Sequence, residues 1–290
     1  MHEPVLLNEV ITGLEIKDGD TVLDMTLGAG GHSKAILERG KDIRLIGIDQ
    51  DETAISIAKE KLFPWKDKVT VVKGNFRDAE KLLAEIGVTK IDKMIFDLGV
   101  SSMQLDDPKR GFSFRHDAPL SMKMSDAMKF SARDIVNGWE EEDIANVIFA
   151  YGEERKARTI AKAIVRARGM KPIETTFELA AIVERAVGKK PWEKINPATK
   201  TFQALRIAVN DELGSLKDGL AAAANLISPK GRIAVIAFHS LEDRIVKNFF
   251  KDKAETGFKI LTKKPVIAKE EETISNPRSR SAKLRIIEKI

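Results

Sequence analysis

The chain has 290 residues, of which 43% are hydrophobic and 32% are charged, and it contains no cysteine. This length suffices to bury a core without disulfides or a structural metal, and the lack of cysteine excludes thiol nucleophiles and every cysteine-based zinc or iron–sulfur site. No apolar run approaches the roughly 18 residues that span a membrane, and the first residues lack a signal-peptide pattern. These features predict a soluble cytoplasmic protein without a membrane partner.

The formal net charge of +5 is small, but the cations are unevenly distributed. Residues 155–171 contain seven basic residues and no acidic one, and residues 276–290 contain five basic residues and one acidic residue. Clustered cations are required of a surface that binds a polyanion such as a nucleic acid. Dense lysine and glutamate without cysteine also fit a heat-tolerant protein with a highly charged surface. Charge alone favours nucleic acid without excluding this second interpretation.

Short apolar runs alternate with helical patterns in the first hundred residues. The predicted strands are 21–25, 44–48, 69–72 and 93–96, and the predicted helices between them are 32–39, 52–62 and 79–86. Apolar strands that alternate with helices predict a parallel sheet covered on both faces.

The alternation stops after residue 105, where a segment rich in Pro, Gly and Asp begins. The helices predicted after it are 132–137, 140–151, 154–168, 177–187 and 199–213, and they are followed by a strand at 232–238, a helix at 241–250 and a last strand at 282–288. The sequence therefore predicts an α/β domain formed by residues 1–105 and 200–290, with an inserted all-helical domain at 106–199.

A glycine-rich loop follows the first predicted strand and contains Gly28, Gly30 and Gly31. A loop of this kind between a strand and a helix lets a ligand approach the backbone closely. A dinucleotide site requires a third glycine where this chain has Ser33. Asp24, at the end of the strand, would repel a pyrophosphate but suits the ammonium and sulfonium groups of S-adenosylmethionine.

Three further side chains follow the next strands at the edge where ligands bind in such sheets. Asp49 can accept hydrogen bonds from ribose hydroxyls, or it can cap the following helix. Phe76 can cover an adenine ring, or it can belong to the core. Asp97 can accept hydrogen bonds from an exocyclic amine such as that of cytosine, which would draw the amine nitrogen toward a reactive geometry. Asp97 can equally hold the methionine end of the cofactor, and the sequence does not separate these roles.

Candidate RNA contacts lie in the basic segments of the chain. They are Arg158, Lys162 and Arg166 at helical spacing, Lys189 and Lys190 beside Trp192, and Arg278 and Arg280 near the end. Like charges four residues apart weaken an isolated helix, so an external phosphate explains the first group better than solubility does. An aromatic side chain among cations can stack an unpaired base, and Trp192 fits a domain interface equally well.

The four histidines show no spacing typical of a metal site, so no metal is predicted. His32 lies where the glycine loop enters its helix and is expected to contact the cofactor. His239 follows the predicted strand 232–238, where it either orients the substrate or has a structural role.

Several longer strings resemble the bacterial small-subunit ribosomal RNA cytosine-N4 methyltransferases, the MraW/RsmH family. These strings occupy residues 24–33, 47–49, 97–102, 201–207, 238–244 and 276–285, so the resemblance extends over essentially the whole chain. It implies a class I S-adenosylmethionine-dependent methyltransferase with a Rossmann-like sheet. The substrate would be one cytosine in the decoding region (the P-site) of 16S rRNA within the small ribosomal subunit. The implied cofactor contacts are Gly30, Gly31, His32, Asp49, Phe76, Asp97 and Gln104.

One segment departs from the family pattern. Residues 121–124 read Ser-Met-Lys-Met where the family has Asp-Met-Arg-Met, which removes an acid and replaces a bidentate guanidinium. The alternatives are a nucleotide-dependent oxidoreductase, a DNA amino-methyltransferase, and a catalytically silent RNA-binding or ribosome-assembly factor on a methyltransferase fold. Asp24 and Ser33 disfavour the oxidoreductase. DNA amino-methyltransferases usually carry a proline–aromatic pair after the fourth strand, and this chain lacks such a pair after Asp97.

The sequence leaves open whether the enzyme is a monomer or a homodimer.

Overall fold

The structure is a computed structural model that describes residues 4–125, 128, 130–188 and 196–290. It contains two compact units. The sheet unit combines the two ends of the chain, up to Gly99 and from Leu213 onward, and the helical unit comprises Val100–Glu212. The expected insertion at 106–199 falls inside the helical unit.

The sheet unit is built on seven strands in the order β3-β2-β1-β4-β5-β7-β6. Their bounds are β1 (Thr21–Asp24), β2 (Arg44–Asp49), β3 (Val69–Lys73), β4 (Ile91–Asp97), β5 (Ile227–Ala237), β6 (Phe258–Ile260) and β7 (Lys283–Lys289). The pairs among β1 to β5 are parallel, and β7 is antiparallel to both of its neighbours. This topology confirms the predicted α/β class with a mostly parallel sheet.

The helices cover the sheet in one unit and form the core of the other. In chain order they are α1 (Leu7–Leu14), α2 (Gly31–Leu37), α3 (Glu52–Lys61), α4 (Ala79–Glu85), α5 (Ser102–Asp106), α6 (Ala132–Gly138), α7 (Glu141–Gly152), α8 (Ala157–Arg168), α9 (Thr176–Val187), α10 (Ala198–Asn210), α11 (Glu212–Leu226), α12 (Ser240–Ala254) and α13 (Glu270–Ser275). Short 3-10 helices occur at Phe63–Lys68, Phe76–Asp78, Pro108–Arg110 and Pro277–Ser281.

The alternation of side chains along the strands explains why the sheet is buried on both faces. Val22 and Leu23 are neighbours in β1, yet they belong to different core clusters, one on each face of the sheet. The same division separates Ile95 from Phe96 in β4. Because both faces are covered, the strands appear in the sequence as nearly continuous apolar runs.

Two sequence-based boundaries were wrong. The strand predicted to begin at residue 232 begins at Ile227 instead, because β5 already pairs with β4 at Ile91 and Ile227 and resumes at Lys93 and Arg232. The intervening residues of β5 form an irregularity in which Lys230 has a left-handed φ of 62°. The helix predicted at 199–213 ends instead at Asn210, because Asp211 is left-handed (φ 46°), and α11 follows it.

The core of the helical unit is formed by the apolar faces of α6 to α10. Asn210 joins this core to the segment that departs from the family pattern. Its side-chain amide donates to the Met122 carbonyl, and its side-chain oxygen accepts from the Met124 amide, both at 2.8 Å. These bonds are made to backbone groups, so they do not depend on which residues occupy positions 121 and 123.

The contact between α7 and α10 depends on Gly152. A Cβ at this position would lie 2.6 Å from the Lys200 carbonyl oxygen, a backbone atom that cannot move without shifting α10. Gly138, at the end of α6, has no atom within 4 Å of the corresponding point. The two glycines therefore form a matched pair in the same unit.

We expect Gly152→Ala to lower the free energy of unfolding by about 2 kcal/mol, because overpacking forces the two helices apart. Gly138→Ala should be neutral or stabilising by up to about 1 kcal/mol, since alanine favours the helix. Urea titration of both variants measures the difference, and an equal effect at the two positions would contradict the close packing.

Candidate active site

The order of the strands reverses between β1 and β4, which lie side by side in the sheet. In open α/β sheets the crevice for ligands forms at such a point, outside the carboxyl ends of the strands. Asp24 ends β1, Asp49 ends β2 and Asp97 ends β4. The structure therefore brings the three predicted acids to one edge of the sheet.

The glycine loop requires glycine for two different reasons. Gly28 and Gly30 have left-handed φ angles of 51° and 72°, a conformation that side chains disfavour. Gly31 packs against the N-terminal segment, where a Cβ would lie 2.7 Å from Pro4 Cγ. At Gly28 the nearest atom to such a Cβ is the Thr26 carbonyl oxygen at 3.8 Å, so the backbone there can be approached by a ligand.

Asp24 is buried and accepts hydrogen bonds from the loop that follows it and from the start of α2. Ser33 Oγ donates to Asp24 Oδ2 at 2.6 Å, and the Thr26 amide donates to Oδ1 at 3.1 Å. Burial raises the pKa of Asp24 to about 6. Ser33, which replaces the third glycine of a dinucleotide motif, is thus a hydrogen-bond donor to the acid beside the loop.

Asp49 connects β2 to the glycine loop. Its Oδ2 accepts from the Gly28 amide at 2.7 Å and its Oδ1 accepts from the Asp51 amide at 2.9 Å, while burial raises its pKa. Asp51 caps α3 by accepting from the Thr53 amide, so the helix-cap role belongs to Asp51. Each carboxylate oxygen can accept a second hydrogen bond, and the ribose contact of Asp49 stays a prediction.

Phe76 has a packing role in the sheet unit. Its ring meets that of Phe96 edge to face, with centroids 5.8 Å apart. It also lies against α11, where a Cβ on Gly219 would fall 2.5 Å from the Phe76 ring. The ring is half-buried by these contacts, and its predicted contact with adenine stays a prediction.

Asp97 has an unusual environment at the end of β4. Its amide donates to Thr26 Oγ1 at 2.6 Å, which joins the end of β4 to the glycine loop. Its Oδ1 is buried and has no hydrogen-bond partner among the residues that the structure describes. Burial and the negative charge of Glu242 raise the pKa of Asp97 to about 7.

The unpartnered oxygen of Asp97 tests whether the site fits a cationic cofactor. A buried acceptor without a donor is costly, so such atoms in folded proteins usually have a hydrogen-bond partner. A group carrying N–H donors would satisfy it, and both the ammonium of S-adenosylmethionine and an exocyclic amine are such groups. The hydrogen-bond acceptors at this edge of the sheet therefore fit the predicted cofactor.

His32 is buried on α2, and its two nitrogens face protein groups. Its Nε2 donates to the Val5 carbonyl at 2.9 Å, and its Nδ1 lies 3.6 Å from Asp97 Oδ2. Burial lowers the pKa of His32. The side chain is thus engaged by the protein itself, and the expected contact between His32 and the cofactor stays a prediction.

His239 is the N-cap of α12. Its Nδ1 accepts from the Glu242 amide at 3.4 Å, and Glu242 Oε2 accepts in return from the amides of Phe238 and His239. This reciprocal arrangement shows a structural role for His239. Glu242 was not predicted, although its position in the first turn after a buried strand could have drawn attention to it.

The candidate RNA residues of α8 form an exposed row. Arg158, Lys162 and Arg166 are exposed, and Ile160 and Ile164 are buried on the opposite face. None of the three cations has an acidic partner within the described part of the helical unit.

Gln104, in the same unit, closes the capping box of α5 with Ser101, and its cofactor contact stays a prediction.

The basic residues near the chain end differ in their environments. Arg280 is exposed and Arg278 half-buried in the 3-10 helix Pro277–Ser281. Lys283 and Arg285 both form ion pairs with Asp243, and their strand β7 is interior to the sheet rather than at its edge. The predicted contacts Lys189, Lys190 and Trp192 lie outside the described residues.

No helix in the described ranges is long and apolar enough to cross a membrane.

Comparison with known proteins gives one consistent result. The model of the MraW methylase family matches residues 1–290. Proteins named ribosomal RNA small subunit methyltransferase H are similar over the full length. That of Deinococcus deserti is 51% identical and covers 100% of this chain and 94% of the relative, and that of Carboxydothermus hydrogenoformans is 46% identical with 100% and 98% coverage. That of Trichormus variabilis is 50% identical and covers 99% of this chain and 92% of the relative.

We expect Asp97→Asn to be more stable than the wild type at neutral pH. A carboxyl group whose pKa is raised on folding holds its proton more tightly in the folded state, so its ionised form destabilises the fold as pH rises. Because the pKa of Asp97 is raised from 3.8 to about 7, the advantage of asparagine should grow between these pH values and stay constant above them. With 31% of the side chain exposed, the plateau should be about 2 kcal/mol.

Urea unfolding of both proteins at a series of pH values measures this difference. A difference that does not change with pH would show that Asp97 ionises normally in the folded protein.

Proposed function

Because the chain belongs to the MraW methylase family, we propose that it methylates N4 of one cytosine in the decoding region of 16S rRNA. It is an S-adenosylmethionine-dependent methyltransferase with the class I fold. Its relatives' names specify methylation of small-subunit ribosomal RNA. The choice of cytosine N4 in the P-site rests on the motif resemblance, and a ribosomal substrate implies a cytoplasmic enzyme.

The observation that carries this proposal is the buried, unpartnered Oδ1 of Asp97 beside the glycine loop. An exocyclic amine is a poor nucleophile because its lone pair is conjugated with the ring. A carboxylate that accepts a hydrogen bond from this amine opposes the conjugation and offsets the positive charge that develops on nitrogen. Asp97 offers such an acceptor at the edge of the sheet where the cofactor would bind.

The cofactor supplies a methyl group activated by its sulfonium. Asp24, Asp49 and the glycine loop would hold it, since they combine acceptors for cations and hydroxyls with an accessible backbone. The chain has no cysteine, so the reaction cannot proceed through a thiol adduct on the pyrimidine ring. The amine nitrogen must lose one proton when it gains the methyl group, and Asp97 is the base that would receive it.

The pKa of Asp97 predicts how the rate depends on pH. With this pKa raised to about 7, only the ionised fraction accepts the amine proton, so the rate should rise with pH up to that value and then level off. A base whose pKa lies near the working pH combines a useful ionised fraction with sufficient proton affinity.

The exposed row on α8 supports binding of the RNA by the helical unit. Arg158, Lys162 and Arg166 are spaced one turn apart, so their guanidinium and ammonium groups can follow successive phosphates. Contacts of this kind provide affinity without reading the sequence of bases.

The direct test is methyl transfer from labelled S-adenosylmethionine to small subunits that lack the modification, with the product nucleoside identified by mass. N4-methylcytidine would establish the reaction. A different methylated nucleoside would overturn the assignment to cytosine N4, and cofactor binding without any product would favour the silent RNA-binding or assembly factor.

Asp97→Asn should lower kcat by about 10² to 10⁴-fold, the usual contribution of a general base, while binding of S-adenosylhomocysteine remains measurable. Asp42→Asn is the matched control, because this acid is exposed, left-handed in φ and located before β2. Equal turnover of the Asp97 variant and the control would remove Asp97 from the mechanism.

Replacing Arg158, Lys162 and Arg166 together by alanine should weaken RNA binding and reduce the slope of log K against log salt by about 2, since each lost phosphate contact contributes about 0.7 to 0.9. The matched control is the triple alanine variant at Arg133, Lys171 and Lys200, each of which pairs with an acid in the helical unit. Equal slopes for the two triple variants would place the RNA contacts elsewhere.

A further inference from the structure

We propose that His32 is a positioning residue that forms a carboxylate–imidazole pair with Asp97 and shares the proton that Asp97 takes from the substrate amine. This inference rests on the proposed function and deepens it, because it assigns a second residue, His32, to the general base formed by Asp97. It gives the His32 side chain a role toward Asp97 in addition to any contact with the cofactor.

The first step of the inference is the tautomer of His32. A carbonyl oxygen only accepts hydrogen bonds, so the 2.9 Å contact between His32 Nε2 and the Val5 carbonyl requires the proton on Nε2. In the neutral ring, Nδ1 then carries a lone pair. This lone pair faces Asp97 Oδ2 across 3.6 Å.

The second step follows from this geometry. An unprotonated Nδ1 and an ionised carboxylate are both acceptors, so the contact becomes favourable only when a proton lies between them. Burial opposes the charged imidazolium and lowers the pKa of His32, whereas it raises that of Asp97. The proton is therefore held mainly on Asp97, which can donate it to Nδ1.

Other charged groups face this pair from three elements. Asp24 on β1 raises the pKa of His32. Glu272 on α13 likewise raises the pKa of His32, and Glu242 on α12 raises that of Asp97. His239 contacts Glu242 rather than the pair. These acids all favour retention of one proton by the pair.

The N-terminal segment holds the carbonyl that sets the tautomer. Val5 and Leu6 are buried, and Leu6 adopts a left-handed φ of 52°. The Leu6 amide donates to Glu272 Oε1 at 2.7 Å, and Pro4 packs on Gly31 of the glycine loop. Because both neighbours of Val5 are anchored, its carbonyl is directed at His32 rather than at solvent.

The proton balance of the reaction uses both oxygens of Asp97. The amine nitrogen forms a bond to the methyl carbon with its lone pair, the carbon–sulfur bond breaks and sulfur keeps that electron pair. The surplus proton of the nitrogen passes to Asp97 Oδ1. Among the described residues, no group donates a hydrogen bond to this oxygen. Oδ2 faces Nδ1 of His32, so the protonated pair is stabilised on that side until the proton reaches solvent.

The test uses His32→Gln in the full-length protein. Glutamine can still donate from its amide to the Val5 carbonyl, but it has no nitrogen that shares a proton with Asp97. We expect kcat to fall about 10 to 100-fold while the KM for S-adenosylmethionine changes by less than about threefold. The inflection of the pH–rate profile should move to lower pH, because the protonated form of Asp97 loses its acceptor.

His116→Gln is the matched control, because this histidine is exposed in the helical unit, and its variant should retain the wild-type profile. Far-UV circular dichroism and binding of S-adenosylhomocysteine establish that His32→Gln is folded. A KM that rises while kcat and the inflection stay unchanged would overturn the proposal, since it would assign His32 to cofactor binding alone.

A second measurement does not depend on activity. The ¹⁵N NMR signals of labelled histidine should show His32 with its proton on Nε2 at alkaline pH. The Nδ1 signal should move with a midpoint near that of Asp97, and this movement should vanish in Asp97→Asn. A proton on Nδ1, or an Nδ1 signal that is the same in wild type and variant at every pH, would overturn the pair. This result stands even if the substrate is another nucleoside, so failure of the pair and failure of the proposed function are distinguishable.

Discussion

Buried carboxylates at the ends of adjacent parallel strands are the constraint on which the rest of the site depends. Asp24 and Asp97 occupy the ends of β1 and β4, where the strand order reverses. Removal from water raises the pKa of both groups, so the folded state holds them at a cost in stability. The same burial gives Asp97 a proton affinity suited to a base, and function and instability here have one physical origin.

The surrounding structure limits this cost by hydrogen bonds from the glycine loop and from the start of α2. Ser33 and Thr26 donate to Asp24, and Thr26 also accepts from the Asp97 amide. Glycines with left-handed φ allow the loop to turn tightly enough to present these donors. The sheet is buried on both faces. The hydrophobic stabilisation from this burial offsets the destabilising effect of the buried carboxylates.

The helical unit contains two kinds of cation, which differ in whether an acidic side chain pairs with them. Arg133 and Lys171 form exposed ion pairs with nearby acids, and pairs of this kind contribute little to stability. The row on α8 has no such partners in the described residues, while its buried face of Ile160 and Ile164 fixes the direction in which the row points. Packing of one helix face thus determines which charges remain available to an external anion.

The sequence by itself determined the apolar strands, the glycine loop and the acids that follow β1, β2 and β4, because these features are local and periodic. It missed α1, α5, α11, α13 and the three-residue strand β6, ended the helix before α11 at the wrong residue, and did not identify Glu242. Only the tertiary structure decided that Ser33 donates a hydrogen bond to Asp24 and that His32 faces Asp97. It also decided the helix caps, which are Asp51 rather than Asp49 for α3 and His239 for α12. Those roles depend on burial and on partners distant in the chain, such as Val5 for His32 and Thr26 for Asp97. A pattern of neighbouring residues contains no information about such partners, because hydrogen bonds and desolvation are set by what the fold brings together in space.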